Sequence, residues 1–228
     1  LKEKLLQART EYIEQHPNAH ITLDHMKSNF DNYPYILHSV KGQTEALNAV
    51  STDDFCEASK IFKALKLPQD VKVHRSMMGA DFNIGNITAE EFFAKYYQEG
   101  KIVTVPIYME STFDKNVAYR FAKKNPEKFI INLDVPKGTP TVYMEKLAPN
   151  DANTYGNEDE LNIIKNAIVK FGKLRQTTNP CTNLPIYELD AKVIGYRDVK
   201  PKPITKREFD ADDLDFIAAL KKELGIKN

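Results

Sequence analysis

The stretch Tyr155-Gly156-Asn157-Glu158-Asp159-Glu160-Leu161-Asn162-Ile163-Ile164 decides how the rest of the chain is read. Its first three residues are turn chemistry, because Gly and Asn tolerate positive φ. Leu161, Ile163 and Ile164 favour an extended strand. A strand beginning near Glu158 directs Glu158 and Glu160 to one face, roughly 6–7 Å apart along the chain. Two carboxylates so placed can divide the work of a reaction at a sugar: one stabilises a developing cation, the other handles an incoming nucleophile. Glu-x-Glu also marks solvated strand edges, and 28% of this chain is charged. The surrounding sequence therefore has to decide between the two readings.

Upstream, residues 145–157 are rich in Pro, Asn, Asp and Gly and read as a loop. Before them come alternating strands at 141–144 and 129–135, separated by Pro136-Lys137-Gly138-Thr139-Pro140. Residues 114–124 fit a helix with Val117, Ala118, Phe121 and Ala122 on its inner side. Residues 102–108 form a strand interrupted by Pro106, and lead into Met109-Glu110-Ser111-Thr112-Phe113. Residues 88–100 read as a helix opened by a Thr88/Glu91 capping box and stopped at Gly100, burying Phe92, Phe93, Tyr96 and Tyr97.

Further upstream, Val71, Val73 and Arg75 alternate with Lys72, His74 and Ser76, a strand whose Val face carries an arginine inward. A buried arginine needs a partner. It either closes a structural ion pair or lies at the floor of a cleft, forked onto a phosphate or carboxylate. Gly79 would let backbone approach a ligand there. Residues 1–67 read as mostly helical: a helix over 1–15, short helices between 37 and 50, and one starting at Ser51-Thr52-Asp53-Asp54 and running through Leu65.

Downstream of the Glu-x-Glu stretch, a turn at Lys165-Asn166 leads to a strand over 167–171. A polar loop over 172–185, a strand over 187–194, a Lys-Pro linker from residue 200 and a charged helix over 212–224 complete the chain. Helices first and about six to eight short strands afterwards give an α+β class.

Composition narrows the function. The chain has 228 residues, 42% of them hydrophobic, with 12 Phe and 11 Tyr, enough for a substantial core. A formal net charge of zero argues against nucleic acid as a partner. No apolar run reaches the length of a membrane span, so membrane insertion is not expected. The charged start Leu1-Lys2-Glu3-Lys4 does not have the pattern of a secretory signal. Cys56 and Cys181 are too far apart to suggest a disulfide scaffold or a zinc site. His16 and His20 have ligand spacing, but Pro17 and Asn18 break the helix between them, so no metal is expected.

Three pieces then fall in order: a strand-borne Arg75, a Ser111-Thr112 pair at a strand end, and Glu158-x-Glu160 after a turn. This layout resembles the mono-ADP-ribosyltransferases of the Arg–Ser–Glu class, in particular bacterial toxins and effectors with a Glu-x-Glu signature. The family's Arg motif is similar to Val73-His74-Arg75-Ser76, with Gly79 following. Its Ser-Thr-Ser motif is similar to Ser111-Thr112, with Phe113 in place of the third hydroxyl. Val117 to Ala122, the strand from Phe129 ending in Pro136-Lys137-Gly138, and Ala167 to Phe171 also match in order. The resemblance covers residues 30–196. Together with the element reading it gives an expected catalytic domain at 31–199, preceded by a helical extension at 1–30 and followed by a linker with a C-terminal helix at 200–228, both of which fall outside the resemblance. It also implies short, mostly antiparallel strands in two packed sheets around an NAD cleft.

The same resemblance implies roles. Glu160 would stabilise the ribosyl cation formed as NAD loses nicotinamide, and Ser111 would orient Glu160. Arg75, Ser76, Gly79, Ser111, Thr112 and Phe121 would bind NAD, with Arg75 on the pyrophosphate. Glu158 and Tyr155 would face the target protein, Glu158 binding an acceptor arginine and taking its proton. The implied protein is a monomeric arginine-directed transferase, secreted or translocated into a host cell. Two alternatives are an NAD glycohydrolase with the same site and a non-catalytic interaction domain on the same fold.

Overall fold

The computed structural model describes residues 1–20, 23, 52–145 and 158–198. Helix α1 (Lys2–Gln15) is followed by α2 (Thr52–Ala64), β1 (Val71–Met77), a 3-10 turn (Gly79–Phe82) and α3 (Ala89–Tyr96). Then come β2 (Ile102–Val105), β3 (Met109–Thr112), α4 (Lys115–Ala122), β4 (Phe129–Val135) and β5 (Thr141–Tyr143). The last strands are β6 (Glu160–Ile163), β7 (Ala167–Thr178) and β8 (Pro185–Tyr196). The short helices expected between 37 and 50, the linker and the helix expected at 212–224 lie outside the described residues.

The strands form one hydrogen-bonded sheet in the order β2-β7-β8-β4-β1-β3-β6-β5. All neighbours are antiparallel except β4 and β8. The two packed sheets expected from the sequence are joined, but barely. β1 pairs with β4 along its whole length and with β3 only through His74 and Thr112. A five-stranded half and a three-stranded half thus meet at one residue pair.

The main core lies on the face of β1 that carries Val73 and Met77. It joins Phe129, Ile131, Leu133, Met109, Leu161, Val169 and Leu189 to Phe92 and Phe93 of α3. Helix α3 starts where the capping box places it: Thr88 Oγ1 accepts from Glu91 N at 3.2 Å, and Glu91 Oε2 accepts from Thr88 N at 3.1 Å. It ends earlier than Gly100, because Tyr97 turns extended and its hydroxyl donates to Gly172 O at 2.9 Å. A second core, under α2, gathers Ala58, Ile61, Phe62, Tyr108, Val142 and Met144. Helix α1 bridges the two: Leu5 and Leu6 pack on the first, Tyr12 and Ile13 on the second.

Two sequence expectations change. Residues 172–178 belong to β7 and are not a loop. A register shift between Phe171 and Leu174 breaks the alternation that the sequence reading relied on. A Cβ on Gly172 would lie 3.0 Å from Asp190 O, so the irregularity brings backbone close to backbone there. On α4, Phe121 is 45% exposed and Tyr119 is buried in its place. Tyr119 turns inward because its hydroxyl donates to Glu188.

Glu188 is 2% exposed and sits under α4. Lys115 Nζ lies 2.7 Å from its Oε1, and Arg175 bonds its Oε2 and, at 2.6 Å, Asp190. Burial alone would raise this carboxyl. The hydrogen bonds from Lys115 and Tyr119, the Lys115 charge and the bond from Arg175 outweigh it and hold the pKa at about 2. Between that value and the ordinary carboxylate range the unfolded chain binds more protons, so stability rises with pH through this window and is lost as pH falls. Acid titration of unfolding should show stability falling from about pH 4.5 toward pH 2. Glu188→Gln should flatten that slope while lowering stability at neutral pH by about 2–4 kcal/mol, since Lys115 and Arg175 lose their buried partner.

Candidate active site

The Glu-x-Glu stretch is built differently from a plain strand. β6 begins at Glu160, and Asp159 before it has a left-handed backbone with φ 53°. Strand alternation therefore does not carry Glu158 and Glu160 to one face; the kink at Asp159 sets their relative direction. Asp is among the residues that tolerate this conformation.

The segment is pinned at the end of β3. The Thr112 hydroxyl donates to Glu158 O at 2.6 Å and accepts from Asp114 N at 3.0 Å. Phe113 N donates to Asp159 O at 3.3 Å. From the other side, Glu160 N donates to Glu145 Oε1 at 3.1 Å and Met144 N donates to Glu160 O at 3.0 Å. Tyr143 Oη donates to Asp159 Oδ1 at 2.9 Å. Burial and then the Asp159 bond raise the Tyr143 phenol above its ordinary value, which keeps it a donor.

Register places Thr112 across from Glu160, and Ser111 across from Leu161. Directly opposed residues share a face. The Ser111 hydroxyl donates to Met109 O at 3.2 Å. Ser111 therefore stands on the face away from Glu160, while Thr112 bonds the backbone of the same segment. The reason is the antiparallel register, which turns Ser111 toward the side of Met109 and Leu161.

Arg75 does lie on the inner face of β1, with a side chain 13% exposed. Its Nη1 donates to Glu110 O at 2.9 Å and lies 3.7 Å from Glu110 Oε2; its Nη2 is 4.0 Å from Asp81 Oδ1. Its bond to Glu110 O links β1 to β3 beside the His74–Thr112 pair. Acidic groups lie beside Arg75, as the ion-pair reading expects, and among the described residues its buried Nε has no hydrogen-bond partner.

Ser76 is on the opposite face of β1 from Arg75 by strand alternation, paired with Ile130, and among the described residues its buried hydroxyl has no partner. It is not brought together with Arg75. Gly79 serves the fold: a Cβ there would sit 2.9 Å from Gly85 O and 3.1 Å from Ile87 Cγ1. The close approach expected of a ligand is made by the chain's own backbone. Tyr155 lies outside the described residues.

Sequence reasoning missed Lys128. Its Nζ donates to Phe121 O at 2.8 Å. Burial lowers its pKa; among neighbouring charges Asp81 opposes the shift and Arg75 adds to it. The bond ties Lys128 to the end of α4, where the Phe121 ring is exposed. In sequence it is one lysine of a Lys-rich turn and carries no signal. His74, at the junction, holds Asn132 Oδ1 at 2.7 Å from its Nδ1. Burial lowers its pKa against the opposing effect of that bond.

The sequence matches the ADP-ribosyltransferase exoenzyme family over residues 26–204. The chain belongs to that family. The family consists of ADP-ribosyltransferases that use NAD as substrate. Solved structures with the same fold include Plx2a, an ADP-ribosyltransferase toxin from Paenibacillus larvae, with TM-score 0.58 and 17% identity over 85% of this chain and 96% of that one. The C3larvin toxin, an ADP-ribosyltransferase also from Paenibacillus larvae, has TM-score 0.52 and 20% identity, covering 80% and 91%. BECa, the ADP-ribosylating toxin of a binary enterotoxin of C. perfringens, solved with NADH, has TM-score 0.56 and 15% identity. This likeness covers 82% of the present chain and 46% of BECa, so the chain spans about half of that protein. No curated protein sequence matches the chain.

Within this exoenzyme fold, Thr112 is expected to matter more than Ser111. Thr112→Val keeps the shape and removes both hydroxyl hydrogen bonds, leaving Glu158 O without its donor. Urea titration should show a loss of about 1–2 kcal/mol, against less than about 1 kcal/mol for Ser111→Ala.

Proposed function

We propose that the protein transfers ADP-ribose from NAD to an arginine side chain of a target protein, releasing nicotinamide. The observation that carries this reading is the Glu158-Asp159-Glu160 segment, held by Thr112 and Phe113 at the end of β3. Family membership supplies the reaction class and its sugar donor.

Arg75 would bind the pyrophosphate through its guanidinium, exchanging the long contacts of Nη1 and Nη2 to Glu110 and Asp81 for phosphate oxygens. As the C–N bond to nicotinamide breaks, its electron pair leaves with nicotinamide and positive charge develops on the ribose. The Glu160 carboxylate stabilises that charge more strongly in the transition state than in the ground state. An arginine acceptor is cationic at neutral pH and a poor nucleophile. Glu158 would bind it and take its proton as the new C–N bond forms. Thr112 positions both carboxylates through the Glu158 carbonyl. Phe121, exposed on α4, offers a ring to the nicotinamide or to the target protein. A toxin or translocated effector acting as a monomer in a host cell fits this activity.

The test is labelling of a eukaryotic lysate with tagged NAD, read beside nicotinamide release. Glu160→Gln is expected to lower both by at least about 100-fold. Glu158→Gln is expected to abolish protein labelling while nicotinamide release falls less than about tenfold. Arg75→Lys is expected to raise the NAD KM about tenfold or more. Nicotinamide release with no labelled protein in any lysate would favour glycohydrolysis. Neither signal from wild type would overturn the reading.

A further inference from the structure

Helix α1 lies upstream of the family match, which begins at residue 26. The sequence gives this helix no role, yet its side chains reach the Glu-x-Glu segment. Lys2 Nζ forms an ion pair with Asp159 Oδ2, and it also stands 5.6 Å from the centre of the Phe113 ring. Arg9 is buried on the helix's inner stripe and donates to Tyr143 O. Tyr143 in turn donates to the other oxygen of Asp159. Both oxygens of the Asp159 side chain are therefore held, one directly by α1 and one through the strand that Arg9 grips.

Asp159 is the residue between the two proposed catalytic carboxylates, and its left-handed backbone sets the angle between them. Glu145, Glu158, Asp159 and Glu160 also gather negative charge around one short segment. Lys2 supplies a countercharge at its centre, which reduces the repulsion that would drive the segment apart. The pair is partly screened, with Lys2 48% and Asp159 19% exposed. Its removal should therefore cost little global stability. Its effect should show as looseness of the segment.

We propose that α1 is a positioning element of the active site, with Lys2 and Arg9 acting through Asp159 and Tyr143 to fix the direction of Glu158 and Glu160. This rests on the transfer reading for its kinetic consequence, but the anchoring itself is measurable without turnover. Lys2 and Arg9 are positioning residues and touch no reacting atom.

The experiment compares Lys2→Met, Lys2→Arg, Asp159→Asn and the double variant Lys2→Met/Asp159→Asn in the full chain. Hydrogen exchange of the peptide covering residues 158–163 is followed beside nicotinamide release. Lys2→Met should speed exchange of that peptide about tenfold and leave the β4 and β8 peptides unchanged. It should lower kcat about tenfold with NAD KM within about twofold of wild type. Lys2→Arg should restore both, and Lys2→Met should add nothing once Asp159 is Asn. Unchanged exchange in Lys2→Met would overturn the proposal whatever the activity. Faster exchange with an unchanged kcat would overturn the positioning role. If wild type releases no nicotinamide, the transfer reading fails; faster local exchange in Lys2→Met, reversed in Lys2→Arg, would then still establish the anchor.

Discussion

One backbone pairing, His74 with Thr112, joins the two halves of the sheet, and the site is arranged around it. On one side β1 carries Arg75, which bonds the backbone of Glu110 on β3. On the other, Thr112 uses its hydroxyl to hold the carbonyl of Glu158 and its register position to face Glu160. The cation and the paired carboxylates belong to different halves of the sheet, so their relative placement depends on this junction. His74 is fixed there by Asn132, which contacts Glu188 and Asp190 in turn. Polar side chains under α4 thus brace the junction from below.

That bracing explains why a carboxylate as buried as Glu188 is tolerated. Lys115 from α4, Arg175 from β7 and Tyr119 all converge on it, so the charge is paired and hydrogen-bonded as burial requires. The network ties α4 to three strands and sets which helix residues face inward. Tyr119 goes in for its hydroxyl bond, and Phe121 is left outside beside Lys128. A contact made for fold reasons thereby leaves an aromatic ring exposed on α4.

Much of the architecture was legible in the chain. The capping box at Thr88 and Glu91, the alternation in β1, and the ends set by Pro106 and Pro136 are local signals with local causes, whereas β4 is buried on both faces at all but Asp134. Arg75 was expected on the inner face from alternation alone, and it is there. Ser111, Ser76 and Gly79 show where such reading stops. Each lies in a matching motif, but register turns Ser111 toward Met109 and Leu161. Alternation turns Ser76 away from Arg75, and a neighbouring loop fills the space beside Gly79. A motif records residue identity and order, and side-chain direction depends on what pairs across the sheet.

The α+β class, the order of the motif elements and the presence of an inward arginine and paired glutamates are all set by the chain's local chemistry. They follow from periodicity, turn propensity and residue type, which act within a few residues of each other. Tertiary packing settled that Asp159 kinks the segment, that Thr112 pins its backbone, that Lys2 reaches Asp159 from 157 residues away and that Arg9 reaches Tyr143 from 134. Those contacts join positions whose separation along the chain carries no periodic signal. They arise only once β3, β5, β6 and α1 are packed together and each polar group must find a partner.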